Sequence, residues 1–350
     1  MRKLTSTRGA QGACARWLLA LLLIHASGCG DAGSSAENAP AQSAAPSDTP
    51  LVKVILQTDW YPQPEHGGFY LADLAGWYEE VGLDVEIRPG ANPGSIPQLV
   101  AGNQVQFALG TSDNLIVARG RGVPLIGLFP YFQHDPQCVM FHRESGIRTL
   151  ADLDGRRVMV NPGATYVAWL QQSLGIRLQL IPLDYSIARF LSDPTFIQQC
   201  FLTSEPWYVK QEGIEAGVLP LSSSGFDPYR VVYANADWVA NNPTHARAFI
   251  AASLRGWRAY ADGDTVRVHA VIAELNPGQS LPFMAWTREQ MAQFQLIDGN
   301  PDRNETLGRV SRARVQDLVQ QLITLGLLDS ELAADDAFAL DLLPPELVAP

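Results

Sequence analysis

The chain has 350 residues, 47% of them hydrophobic and 17% charged, and a formal net charge of −11. That length is ample for a large core and suits two lobes better than one. An acidic chain without a basic stripe excludes nucleic acid as a partner.

Residues 1–29 read as a leader rather than as part of the fold. Arg2, Lys3, Arg8 and Arg16 form a positive start, and Trp17 to Ile24 an apolar core too short to span a bilayer. It ends in Ala26-Ser27-Gly28-Cys29, which resembles a bacterial lipobox. Cys29 is the expected lipidation site, an ordinary cleaved signal peptide being the alternative. Without the four basic leader residues, 21 Lys and Arg stand against 36 Asp and Glu. Residues 30–50 are mostly Ala, Ser, Pro, Gly and Asp. They cannot bury enough surface to fold and read as a flexible tether reaching on the order of 25 Å.

From residue 51 strand and helix signals alternate. Val52–Thr58 predicts a strand, Gly68–Val81 a helix closed by Gly82, and Leu83–Arg88 a strand. A short helix over Pro93–Ala101, strand Val105–Leu109, helix Asp113–Arg119 and strand Pro124–Phe129 follow. This rhythm implies a mostly parallel sheet covered by helices. Strand signals at Gln137–His142, Arg157–Val160, Leu178–Leu183, Ile197–Leu202 and Gly217–Leu221 continue it. Among them are a short helix ending at Gly155 and another opened by Pro162-Gly163-Ala164-Thr165 and running to Leu174. Tyr229–Ala234 returns the chain to the first lobe. The remainder is mostly helical, at Asp237–Asp262, Val266–Leu275, Thr287–Leu296 and Ser311–Leu325.

Cys138 and Cys200 show no metal-ligand spacing, and no metal site is expected. They lie far apart in sequence, each in an apolar strand, which favours two buried free thiols; export leaves a disulfide open. No zinc-protease, nucleophile-elbow or phosphate-loop motif is present, so no catalytic residue and no cofactor are expected.

The loop Asp59-Trp60-Tyr61-Pro62-Gln63-Pro64-Glu65-His66-Gly67-Gly68 follows the first strand, where α/β proteins place ligands. Its rings, histidine and carboxylate suit a flat, nitrogen-bearing molecule, and its two glycines would let backbone approach such a ligand. Trp60 and Tyr61 offer a stacking platform, His66 a donor and an acceptor, and Tyr70 a hydroxyl one turn later. Glu205, before Pro206 at the end of a strand, could accept from the amine and a protonated ring nitrogen of an aminopyrimidine. Ser112 and Asp113 either cap a helix or enter the cleft. Gly163, Ala164 and Thr165 open a helix whose free N–H groups could meet an oxygen ligand. Asp227 and Tyr229 lie at the chain's return to the first lobe.

Several segments carry a resemblance. Trp60-x-Pro62-x-x-x-His66-x-x-x-Tyr70 is followed by Gly76-Trp77-Tyr78-x-x-x-Gly82-Leu83-Asp84-Val85 and by Val105-Gln106-Phe107-Ala108-Leu109-Gly110. Gly146-Ile147-x-x-Leu150-x-x-Leu153-x-Gly155-Arg156-x-Val158, Glu205-Pro206 and Asn242-Pro243-x-x-x-Arg247-x-Phe249 come later, in order. Together they resemble the binding proteins for thiamin pyrimidine precursors, in a wider family that also binds sulfonate, taurine and nitrate for ABC importers. The resemblance covers roughly residues 51–330. It implies an α/β, two-lobed type II periplasmic-binding-protein fold with two hinge strands. Lobe 1 would span 51–143 plus 229–350, and lobe 2 would span 144–228. It implies an exported monomer, membrane-attached through Cys29, that delivers a small ligand to ABC permease and ATPase subunits. A thiamin-precursor pyrimidine is the first choice of ligand, riboflavin or another flat heterocycle the second, and sulfonate, taurine or nitrate the third. The competing class is the fungal enzymes of this family, which build the pyrimidine from pyridoxal phosphate and one of their own histidines. On this sequence their cofactor lysine falls on Gly110 and their consumed histidine on Asn114. Lys53 and Lys210 are the only lysines beyond the leader.

Overall fold

The computed structural model describes residues 50–90 and 93–350. The expected leader, the expected lipidation site at Cys29 and nearly all of the expected tether lie outside the described residues. Ten strands build two five-stranded sheets: β1 Val52–Gln57, β2 Leu83–Arg88, β3 Phe107–Thr111, β4 Leu125–Phe132, β5 Gln137–His142, β6 Arg157–Val160, β7 Gln179–Pro182, β8 Ile197–Phe201, β9 Ala216–Pro220 and β10 Arg230–Asn235.

The first sheet has the order β2-β1-β3-β10-β4 and the second β7-β6-β8-β5-β9. In each, four strands share a direction and one, β10 or β5, runs against its neighbours. The mostly parallel expectation therefore holds with one reversed strand per sheet. The reversal follows from chain path: the polypeptide leaves the first sheet between β4 and β5 and returns between β9 and β10. It also has a chemical result. Arg230, the first residue of β10, pairs with Thr111 and Phe132, the last residues of β3 and β4. A cation thus sits at the carboxyl edge of the sheet, beside the ligand-type loops.

Two expected helices are broken. The segment after the first strand forms Gly67–Leu74 and then Trp77–Glu80, because Gly76 adopts a left-handed φ of 73°. Asp237–Asp262 divides into Ala236–Asn241 and Pro243–Asp262, since Pro243 has no N–H to continue the first helix. Helix Leu281–Gln293 begins earlier than expected: the Ser280 side chain caps it by accepting from Phe283 N–H.

Helix Pro243–Asp262 buries Phe249, Ile250, Ser253, Gly256, Trp257 and Tyr260, an i, i+3, i+4, i+7 stripe. It packs on helix Gly67–Leu74. A Cβ on Gly67 would overlap the Tyr260 ring, and one on Gly68 would overlap Trp257. The expectation that these glycines admit a ligand is thereby corrected. They are needed so that two helices can approach, and the ring atoms of the partner helix already fill the space.

Cys138 and Cys200 form a disulfide, which overturns the expectation of two free thiols. They face each other directly on β5 and β8, with Cα atoms 4.9 Å apart, inside the normal span for such a bridge. Sequence separation hid the pairing, which only the antiparallel strand register creates.

Candidate functional site

The loops at the carboxyl ends of the two sheets meet at one edge. The loop after β1 is fixed before any ligand is considered. The Thr58 hydroxyl donates to Trp60 O at 2.7 Å, and Gly90 N–H donates to Trp60 O at 3.1 Å. Asn276 donates to Pro62 O at 2.9 Å. Backbone held from three sides gives the intervening side chains defined directions.

Trp60 stacks on Tyr185 with ring centroids 5.3 Å apart and meets Tyr61 edge-on at 5.5 Å. Tyr61 is about half exposed. Tyr185 belongs to the loop after β7 in the second sheet, so this stack joins the two halves. The sequence reading missed Tyr185 because a single aromatic in a loop carries no periodic signal.

His66 is buried and its Nε2 pairs with Asp59 Oδ1 at 3.0 Å, while Nδ1 has no protein partner. With Nε2 carrying the proton, Nδ1 is a buried acceptor. Its neighbour Glu65 is also buried, with Oε2 unpartnered. Burial raises the Glu65 carboxyl above its ordinary range, opposed by the nearby Thr203 hydroxyl. Glu205 is partly buried at the start of helix Glu205–Gln211. Its Oε2 accepts from Phe201 N–H at 2.7 Å. Burial raises its carboxyl too, against that hydrogen bond, and the Glu65 charge adds to the rise. The Tyr208 hydroxyl is raised by burial and by both carboxylates. Glu65 from one half and Glu205 with Thr203 from the other therefore form one electrostatic group. Glu65 and Thr203 were not singled out from sequence; only the tertiary meeting of the loops gives them a shared surrounding. The Thr287 hydroxyl donates to Thr203 O at 2.9 Å and ties the halves beside them.

Tyr70 is buried with its hydroxyl unpartnered, and burial pushes that hydroxyl up to about 12. Asp113 is buried with Oδ1 unpartnered. Ser112 is fully buried and spends its polar atoms on Tyr229: its Oγ accepts from Tyr229 N–H and its N–H donates to Tyr229 O, both at 2.9 Å. Gly163 is exposed and its N–H donates to Asn161 Oδ1 at 3.1 Å. Ala164 N–H turns back to Asn161 O, and Thr165 begins helix Thr165–Ser173. Asp227 serves the two chain crossings. It pairs with His134 at 2.6 Å and Arg314 at 3.2 Å, while His134 also meets Glu305 at 3.0 Å. The Tyr229 ring lies 4.0 Å below the Arg314 guanidinium.

Arg230 is partly buried against Asp59, lies 3.8 Å from Asp135 and donates to Tyr131 Oη at 3.3 Å. Burial opposes the Asp59 charge, but Arg230 and His66 hold that carboxyl well below its usual range. Burial raises Asp135 to about 6 in spite of Arg230. The cation at this edge is already matched by two carboxylates. An added anion would have to displace one of them.

Among the described residues no group of three His, Cys, Asp or Glu could hold a metal ion, and no helix is long and apolar enough to cross a membrane.

A family model described as "NMT1/THI5 like" matches residues 63–263. The chain is 22% identical over 303 residues to a formylaminopyrimidine-binding protein of Halalkalibacterium halodurans, covering 83% of this chain and 91% of that one. It is 30% identical over 106 residues to a "putative thiamine biosynthesis protein" of Haemophilus influenzae, of which it spans only 34%. Over 140 residues it is 26% identical to a 4-amino-5-hydroxymethyl-2-methylpyrimidine phosphate synthase of Saccharomyces cerevisiae, spanning 40% of it. Among solved structures, the periplasmic aliphatic sulphonate binding protein of Escherichia coli superposes with a TM-score of 0.62 at 14% identity, covering 82% of this chain and 91% of that one. With its two five-stranded sheets, each with one reversed strand, the chain belongs to the NMT1/THI5-like family and has the type II periplasmic-binding-protein fold.

Proposed function

We propose that this protein is an extracytoplasmic solute-binding protein of an ABC importer that takes a small, flat, amino-bearing heterocycle between its two sheets. A thiamin-precursor pyrimidine is the favoured ligand. The observation that carries this is the set of acceptors at the sheet edge. Glu65 Oε2 and His66 Nδ1 are buried without hydrogen-bond partners, and Glu205, from the other half, lies near enough for the Glu65 charge to add to the rise of its carboxyl. Buried acceptors lacking donors cost stability unless something supplies them. An aminopyrimidine supplies N–H groups, and Trp60 supplies a ring face. The formylaminopyrimidine-binding relative, similar over most of its length, supports the same chemistry.

Sulfonate or nitrate fits this edge less well, because Arg230 is already neutralised by Asp59 and Asp135. The enzyme reading lacks a cofactor lysine: Lys53 is an exposed strand residue beside Asp84, and Lys210 is exposed on helix Glu205–Gln211. The basic start, the short apolar run and Ala26-Ser27-Gly28-Cys29 support a reading in which the protein is exported and held on a lipid at Cys29. Cys29→Ser should release it from membranes with ligand binding intact, and persistent attachment would refute the anchor.

The test of the ligand is a thermal-shift panel of hydroxymethyl- and formylamino-pyrimidines, thiamin, riboflavin, cytosine, taurine and nitrate. A ligand at 100 times its Kd stabilises by about 2.7 kcal/mol. Stabilisation by a pyrimidine supports the reading; stabilisation by an anion alone rejects it.

A further inference from the structure

We infer that Tyr185 is the second wall of the ligand site: a flat ring enters between Trp60 and Tyr185 and is sandwiched by one aromatic from each half. This rests on the heterocycle reading above and adds a specificity-determining residue to it.

Three observations carry the inference. First, Tyr185 is 69% exposed, a poor place for a large ring with no duty. Its only ring partner among the described residues is Trp60, at 5.3 Å and an interplanar angle of 29°. Second, its backbone has a φ of 60°, a left-handed conformation that non-glycine residues seldom adopt and that gathers at functional positions. Third, the loop is pinned on both sides. Leu183 N–H donates to Val160 O at 3.0 Å, Ser186 N–H to Asp184 Oδ1 at 3.0 Å, and Ala188 N–H to Ser186 Oγ at 3.1 Å. Side-chain-capped backbone on one flank and a strand-type bond on the other hold the strained residue, so the ring is presented rather than left to wander.

The two rings stand on loops of different sheets, joined through the chain crossings, the Thr287–Thr203 hydrogen bond and packing contacts. Hinge opening would therefore part them along their stacking direction. The space released is the shape of a planar ring, whose two faces would be met by Trp60 and Tyr185. A non-planar solute of similar size gains nothing from such a slot. Tyr185 would thus select for flat ligands, while Glu65 and Glu205 read their edges.

The test uses the full-length protein in detergent, titrated calorimetrically with 4-amino-5-hydroxymethyl-2-methylpyrimidine and followed by stopped-flow tryptophan fluorescence. Tyr185→Ala should weaken binding about tenfold, mainly through faster dissociation, and Tyr185→Phe should restore it. The melting temperature of the free protein should be unchanged in both variants. Wild-type binding with an unchanged Kd for Tyr185→Ala overturns the wall while leaving the heterocycle reading intact. Association and dissociation accelerated equally at constant Kd would make Tyr185 a gate and also overturn it. A wild-type protein that binds no flat heterocycle overturns both readings.

Discussion

At the scale of single residues, the proposed site is a place where acceptors outnumber donors. Glu205 spends one oxygen on Phe201 N–H and is left with a second for a ligand. Glu205→Gln keeps an acceptor for that N–H but removes the charge. Losing a charge-assisted hydrogen bond costs about 1.5–3 kcal/mol, so an aminopyrimidine should bind roughly 10- to 100-fold more weakly. A neutral flavin should be little affected; calorimetry with both ligands checks this, and tighter binding in the variant would point to an anion. His66 illustrates how far residue-level reading goes. Its candidacy was legible in the first-strand loop. That its Nε2 is committed to Asp59, leaving Nδ1 without a protein partner, was not, because the loop conformation that brings these two side chains together is not recorded in residue spacing.

At the scale of elements, close approach and register decide what individual residues do. Helix Gly67–Leu74 lies so near helix Pro243–Asp262 that Gly68 has no room for a methyl group beside Trp257. Gly68→Ala should destabilise by about 1–3 kcal/mol through overpacking, read as a lower urea midpoint, although alanine is the better helix former. An unchanged midpoint would mean the helices shift without cost. In the second sheet the Cys138–Cys200 bridge spans a sequence separation of 62. On a chain-entropy basis its removal should cost about 4 kcal/mol. Dithiothreitol should accordingly lower the melting temperature of wild type but not of the Cys138→Ser, Cys200→Ser double variant. An identical response in both would show that the bridge adds no stability. The strand boundaries were readable from alternation and turn residues, while the pairing of the two cysteines was not: it follows from β5 running against β8.

At the scale of the molecule, the two crossings between sheets are tied by charge. His134 follows β4, Asp227 precedes β10, and Glu305 and Arg314 come from the helical C-terminal part. Burial alone would lower the His134 pKa, but Asp227 and Glu305 raise it to about 9. A raised histidine contributes fully below its ordinary 6.5, and the contribution fades as pH rises through about 9. Glu305 is lowered to about 2, where His134 and a backbone N–H overcome burial. Its contribution is complete above its ordinary 4.5 and is lost as pH falls towards 2. His134→Gln should therefore lower the melting temperature most between pH 4.5 and 6.5, with the gap from wild type narrowing above pH 6.5 and closing as pH passes about 9. A gap independent of pH would show that His134 packs without acting as a charge.

Much of the architecture was determined by sequence alone. Local periodicity and turn residues specify nearly every strand, and the ordered segments from Trp60 to Phe249 carry the family and with it the fold. These are properties of neighbouring residues, and a chain displays them without folding. What the tertiary structure decided are the relations between distant segments: the disulfide, the glycines committed to helix packing, Arg230 balanced by Asp59 and Asp135, and the Tyr185–Trp60 stack. Each depends on which strand lies beside which and in what direction. That is set by burial of the whole core and by the two crossings of the chain, and no local pattern records it.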